Sequence, residues 1–177
     1  MVIKIGSLAP DFNLTDQNGE KITLSQYRGE KDVILSWHVF DFTGGWTNQV
    51  SSFNRFIGSF EEISSQVLGI STDSHHSHRA WSNALGGVKY PLLADFCPQG
   101  EMTNSYGLLN KKIGAPLRAI VIVDKKGIVR FSKEYPPGSI PDPSCILNLL
   151  ATFWSVACLP NLYAKAKPKK WSNGRYI

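Results

Sequence analysis

Val33-Ile-Leu-Ser-Trp-His-Val-Phe40 is a mostly apolar run of strand length, the pattern of a strand buried on both faces. Thr43-Gly44-Gly45 breaks it. Beyond the break Val50, Phe53, Ile57 and Phe60 recur at helical spacing, which predicts a helix starting near Trp46 that lays one apolar stripe on a sheet. A buried strand feeding straight into a helix is the building unit of an α/β sheet.

The flanking sequence extends that unit. Upstream, Phe12 to Thr15 and Lys21 to Leu24 read as two strands joined at Asn18-Gly19, a hairpin signal. Downstream, Val67 to Ser71 is the next strand, and Asp73 or Ser74 is positioned to cap the helix that carries Trp81. Ala119 to Asp124 and Ile128 to Phe131 are strands joined through Lys-Lys-Gly, and Asp142-Pro143 opens a last helix, with aspartate as cap and proline in the first turn. The expected class is α/β: a central mixed sheet flanked by helices, with an N-terminal hairpin. No repeat or linker divides the chain.

Composition agrees with one folded domain. The 177 residues are 42% hydrophobic and 19% charged, too apolar for a disordered chain. The net charge of +5 is unevenly placed: Lys165, Lys167, Lys169, Lys170 and Arg175 supply it, and the residues before them are balanced. The division expected is a domain over residues 1–160 and a basic tail over 161–177. A solvated tail is the plain reading of such a run. Binding to an anion is the sharper one, and nucleic acid is not expected because no base-reading motif accompanies the charges. The apolar run Ile146 to Leu159 contains Asn148 and Ser155 and falls short of the ~20 residues of a bilayer span. No basic segment with an apolar stretch opens the sequence, so a cytoplasmic location is expected and no membrane partner.

Nine pieces in register carry a family resemblance. They are Gly6-Ser-Leu-Ala-Pro10-Asp11-Phe12, Asp16-Gln-Asn-Gly19, Ile22-Thr-Leu-Ser25 with Tyr27-Arg28-Gly29, Asp41-Phe42-Thr43, and Val67-Leu-Gly-Ile-Ser-Thr-Asp73-Ser74, then Ala80-Trp81, Tyr90-Pro-Leu-Leu-Ala-Asp95, Tyr106-Gly107, and Arg118-Ala-Ile-Val-Ile-Val-Asp124-Lys-Lys-Gly127. Together they resemble the peroxiredoxins, the alkyl hydroperoxide reductase and thiol-specific antioxidant family, closest to its two-cysteine class, from Gly6 to about Asn161. The resemblance implies a thioredoxin-like fold, thiol-dependent reduction of hydrogen peroxide and alkyl hydroperoxides, a thioredoxin-like dithiol reductant, a homodimer or larger homo-oligomer, and no cofactor.

In that family a cysteine nucleophile follows a strand in the motif Pro-x-x-x-Thr-x-x-Cys, and a distant arginine completes the site. A thiol attacks peroxide as its thiolate, so the cysteine must be acidified by a helix N-terminus or a cation. By resemblance the present motif reads Val39, Thr43 and Trp46, with Arg118 as the arginine. An indole N–H only donates hydrogen bonds and offers no ionisable nucleophile near neutral pH. Trp46 therefore reads as a packing residue filling the nucleophile's place, or as part of a new binding role. Val39 for the shielding proline, and Gln49 where two-cysteine members carry glutamate, are further departures in the same region. Thr43 and Arg118 are retained family positions, each with a plainer alternative: Thr43 as a cap of the helix start, Arg118 as a partner for a carboxylate such as Asp41.

Three cysteines remain. Cys158, in Val156-Ala-Cys-Leu-Pro160-Asn161, resembles the resolving cysteine of the two-cysteine class, with Leu159 inserted and Leu162 in place of tryptophan. Cys97 and Cys145 match no catalytic position of the family, and free thiols are expected. His75-His76-Ser77-His78 lacks the four-residue spacing of ligands on one helical face, so it reads as a surface helix start and no metal is expected. His38 stands where the family has an aromatic residue. Three functions follow: a pseudoenzyme that keeps the scaffold, an active thiol peroxidase working through a surrogate Cys158 or Cys97 or carrying a substituted active site, and an anion-binding adaptor acting through the tail.

Overall fold

The computed structural model describes residues 2–136 and 138–157, with the side chains of residues 44–47 and 154–157 left outside that description. Cys158 and the basic tail likewise lie outside it. Two short strands open the fold, β1 (Asn13–Thr15) and β2 (Lys21–Thr23), then β3 (Asp32–Trp37), α1 (Gly44–Arg55) and α2 (Ile57–Glu62). β4 (Ser65–Ser71), α3 (His75–Ala84), β5 (Leu92–Ala94) and α4 (Glu101–Ser105) follow. The chain continues through β6 (Leu109–Asn110), β7 (Ala115–Pro116), β8 (Ala119–Val123), β9 (Val129–Glu134) and α5 (Pro143–Ala157). Among the described residues no helix is long and apolar enough to cross a membrane.

Seven strands form one mixed sheet in the order β2-β1-β5-β4-β3-β8-β9. β3 lies inside it, parallel to β4 and antiparallel to β8, and all six of its residues are buried. Alternation along it sorts the core. Val33, Leu35 and Trp37 face one side with Leu68, Ile70, Val121, Met102 and Tyr106, while Ile34 faces the other with Phe53, Phe60, Trp81, Ile120 and Leu150. The second side is the one that α1, α2, α3 and α5 cover. The Leu92 side chain of β5 lies over Gly69 of β4, where an added Cβ would come within 2.6 Å of Leu92 Cδ2.

The end of β3 and the length of the first helix differ from the sequence expectation, each for a local reason. β3 stops at Trp37, and only the His38 amide stays with the sheet by donating to the Ile70 carbonyl at 3.0 Å. Phe42 at φ +57° then turns the chain, a conformation uncommon outside glycine. The predicted single helix is interrupted at Phe56, so Val50 and Phe53 sit on α1 whereas Ile57 and Phe60 sit on α2. Between β1 and β2 the loop runs over residues 16–20, because Asp16 Oδ1 accepts from the amides of Asn18 and Glu20 at 2.8 and 2.9 Å and organises a wider turn around Gly19. Of the two proposed caps of α3, Ser74 is the one used: its side chain accepts from the Ser77 amide at 3.2 Å.

Candidate functional site

The C-terminal ends of β3, β4 and β5 and the start of β8 meet at one end of the sheet. Trp37 pairs with Ala119, so His38 and Arg118 leave the sheet side by side, and Ile70 and Leu93 mark the same end of the neighbouring strands. The segment from His38 to Thr43 crosses that end and delivers the chain into α1. It brings Thr43 and the backbone of Trp46, in the first turn of α1, to the end of the sheet where Arg118 precedes β8.

Thr43 occupies the cap position of α1 but does not cap through its side chain, which corrects that expectation. Its Oγ1 donates to the Phe40 carbonyl at 2.7 Å, so the hydroxyl ties down the turn before the helix while the residue stays exposed. Arg118 is buried, and Nη1 donates to the Ser139 carbonyl in the stretch leading to α5. Burial pulls its guanidinium below the ordinary value. The alternative pairing of Arg118 with Asp41 is not how Asp41 is held. Gln49, on α1, is buried and donates through Nε2 to Ser36 Oγ at 3.0 Å and to the Trp37 carbonyl at 3.4 Å, anchoring the helix to β3. Its Oε1 has no hydrogen-bond partner among the described residues.

Asp41 is instead the centre of a buried polar cluster. His38 Nε2 lies 3.1 Å from Asp41 Oδ1, and His78 Nδ1 lies 2.9 Å from Oδ2 and 3.1 Å from Oδ1. Ser77 Oγ donates to Oδ2 at 2.9 Å, and the Asp41 amide donates to Asp73 Oδ2 at 2.9 Å. His38 packs against the Trp81 ring with centroids 5.2 Å apart, and against His78 at 5.8 Å. The relative exposures of His38, Asp41 and His78 are 1%, 6% and 0%. Burial pushes the His38 ring down from its usual value, in part opposed by the hydrogen bond with Asp41. For Asp41 burial acts to raise the carboxyl, but the hydrogen bonds and charges of His38 and His78 outweigh it and hold it well below the usual carboxylate range.

His78 corrects the reading of His75-His76-Ser77-His78 as a surface helix start. His76 is exposed and the His75 ring lies tilted against it with centroids 3.9 Å apart, but one helical turn on His78 points into the core. The signal was available: His78 precedes Trp81 by three residues, which places both on one helical face. The convergence with Asp41 was not, because it joins residues far apart in sequence.

Both described cysteines are exposed free thiols. Cys145 Sγ donates to Asp142 Oδ2 at 3.7 Å at the start of α5. Cys97 follows β5 at the same sheet end as His38.

Comparison with known proteins matches the geometry. The AhpC/TSA family profile covers residues 5–132. Alkyl hydroperoxide reductase E of Mycobacterium tuberculosis is 35% identical over 150 residues, spanning 85% of this chain and 97% of the relative. A chloroplastic 2-cysteine peroxiredoxin of Chattonella marina var. antiqua is 38% identical over 141 residues, spanning 75% of this chain and 71% of the relative. The solved structure of reduced 2-Cys peroxiredoxin from Plasmodium vivax superposes with a TM-score of 0.80 at 25% identity, over 97% of this chain and 90% of that one. Mycobacterium tuberculosis AhpC, at 23% identity, shares the fold with a TM-score of 0.77 over 88% of this chain and 95% of that one. With a profile spanning most of the sheet and relatives a third identical along it, this chain belongs to the AhpC/TSA family, the peroxiredoxins, and has their thioredoxin-like α/β fold.

Proposed function

We propose that this protein is a peroxiredoxin-family pseudoenzyme, with absent or very weak peroxidase activity. One observation carries the reading: Trp46, three residues after Thr43 in the first turn of α1, stands where the family's motif places the attacking cysteine. Without a thiolate at that place no sulfenic acid forms, and Cys158 has nothing to resolve. Thr43 and Arg118 are then retained positions without a reaction to serve. Val39 and Gln49 support the same reading as neighbouring departures from the family pattern.

The runner-up is an active thiol peroxidase working through a surrogate cysteine, and the exposed thiol of Cys97 is what favours it. Hydroperoxide and a dithiol reductant are the partners in that case. In either case we expect a homodimer or larger homo-oligomer, with exposed Phe42 and Phe96 as apolar surface at one end of the sheet for a second copy to cover. Peroxide consumption by the purified protein with thioredoxin, its reductase and NADPH separates the two readings, run beside Trp46→Cys, Cys97→Ser and Cys158→Ser. A silent parent beside an active Trp46→Cys supports the pseudoenzyme. Turnover by the parent that vanishes with either serine variant sinks it and identifies the working thiol.

A further inference from the structure

We propose that His38, Asp41 and His78 form a binding site for one divalent transition-metal cation, zinc or a metal of like coordination chemistry, held between the end of β3 and the first turn of α3. The first argument is spacing. One ligand atom from each residue lies within 4.8 Å of the others, and each ring nitrogen lies 2.9–3.1 Å from a carboxylate oxygen. Around a tetrahedral zinc with bonds of about 2.0 Å, neighbouring ligand atoms stand about 3.3 Å apart. Small side-chain shifts would open that space.

The second argument is the proton inventory of His78. Its Nε2 faces the Leu93 carbonyl at 3.2 Å. A carbonyl only accepts, so Nε2 carries the hydrogen, and in the neutral ring the Nδ1 lone pair points straight at the Asp41 carboxylate, itself an acceptor. Two acceptors at 2.9 Å need a cation between them, either a proton on the ring or a metal. A ring nitrogen aimed at a metal while the other donates to a backbone carbonyl is the usual arrangement of a metal-ligating histidine. Asp41 is oriented in the same way, by Ser77 Oγ and by the bond of its own amide to Asp73 Oδ2, which also accepts from Ser71 Oγ at 2.8 Å.

Charge and donor type choose the metal. The carboxylates of Asp41 and Asp73 match a dication, and the surroundings of the rings are buried. Two imidazoles and one carboxylate, with no thiolate, suit zinc, cobalt or nickel in preference to the all-oxygen sites of calcium and magnesium or the sulfur sites of copper(I). Three protein ligands leave a further position for water or for Ser77 Oγ.

The test uses the full chain stripped by a chelator and titrated with Co²⁺ and then Zn²⁺. The expected result is one cobalt per chain with the visible bands of a tetrahedral site, displaced by zinc. The surface pair His75 and His76 is the competing site, so His75→Gln/His76→Gln should bind unchanged while His38→Phe weakens binding at least about 100-fold, more than loss of an outer-shell partner costs. Zinc X-ray absorption of the His75→Gln/His76→Gln protein should show two imidazoles and no sulfur, a readout that stands even where His38→Phe fails to fold. No binding, or binding that disappears with His75 and His76 and survives His38→Phe, overturns the site and leaves a proton-bridged cluster.

Discussion

Two groups of polar residues share one end of the sheet and are treated in opposite ways by the fold. The Thr43–Trp46 turn is exposed at Thr43, and its hydroxyl bond is to a carbonyl three residues away. The His38–Asp41–His78 cluster is buried, and its bonds reach across β3, α3 and β5. The turn carries a spacing that resembles the family motif and bonds only within itself, whereas the cluster joins residues that sequence reading assigned to other tasks. Retained spacing along the chain is therefore a record of ancestry, and convergence in space is the better guide to what this chain's own residues can hold.

The largest effect expected is a gain. Losing a nucleophile from an enzyme costs on the order of 10⁶ in turnover, so restoring one to a preserved scaffold should be visible even when the surroundings have changed. Trp46→Cys should raise thioredoxin-coupled peroxide consumption at least about 100-fold over the parent. Adding Val39→Pro and Gln49→Glu should raise it again. If the triple variant stays silent, the turn lacks more than a sulfur and the comparison between the two groups widens.

Next in size is the removal of the cluster's centre. Asp41→Ala leaves Ser77 Oγ without its acceptor and takes away the carboxylate that the rings of His38 and His78 both face in a buried setting. Breaking a buried pair by deleting one partner costs about 3–5 kcal/mol, which denaturant titration would read as a large fall in midpoint with little change in slope. A loss below 1 kcal/mol would mean that the cluster does not hold loop 38–43 to α3, and the contrast with the turn would fail.

Much of this fold was legible because local patterns agreed with it. The Val33–Phe40 run, the α1 stripe and the Asp142-Pro143 helix start all appear close to where they were expected. What was not legible depended on contacts distant in sequence. Nothing local says that β3 should release His38 at Trp37, since Val39 and Phe40 continue the apolar run; the turn at Phe42 and the pull of Asp41 toward His78 decide it. β5 was read only as part of a family motif, because three residues beside Tyr90-Pro91 carry too little periodicity to declare a strand. For the candidate site, Thr43 and Arg118 were visible through the motif alone, whereas the partners of Asp41 required α3 to be placed over the end of the sheet.

A smaller effect isolates how α3 is held. Ser74→Ala removes the side-chain acceptor of the Ser77 amide, and cap losses of this kind cost about 1 kcal/mol. Because Ser77 also donates to Asp41, frayed capping should pass into the cluster, and Ser74→Ala with Asp41→Ala should cost less than the sum of the two. Strict additivity in a double-mutant cycle would show that the cap and the cluster are independent.

The smallest effect belongs to the turn itself. Thr43→Ala deletes one exposed hydrogen bond to the Phe40 carbonyl, a group that water can satisfy instead, and leaves the α1 helix start without loss of a side-chain cap because Thr43 supplies none. Exposed substitutions of this kind fall within about ±0.5 kcal/mol, so the unfolding midpoint should barely move. In the Trp46→Cys background the same change should matter, since the family's chemistry places the threonine hydroxyl on the peroxide, and the regained turnover should fall. A Thr43→Ala variant that loses stability on the scale of Asp41→Ala would erase the distinction, because the turn would then be as much a structural element as the cluster behind it.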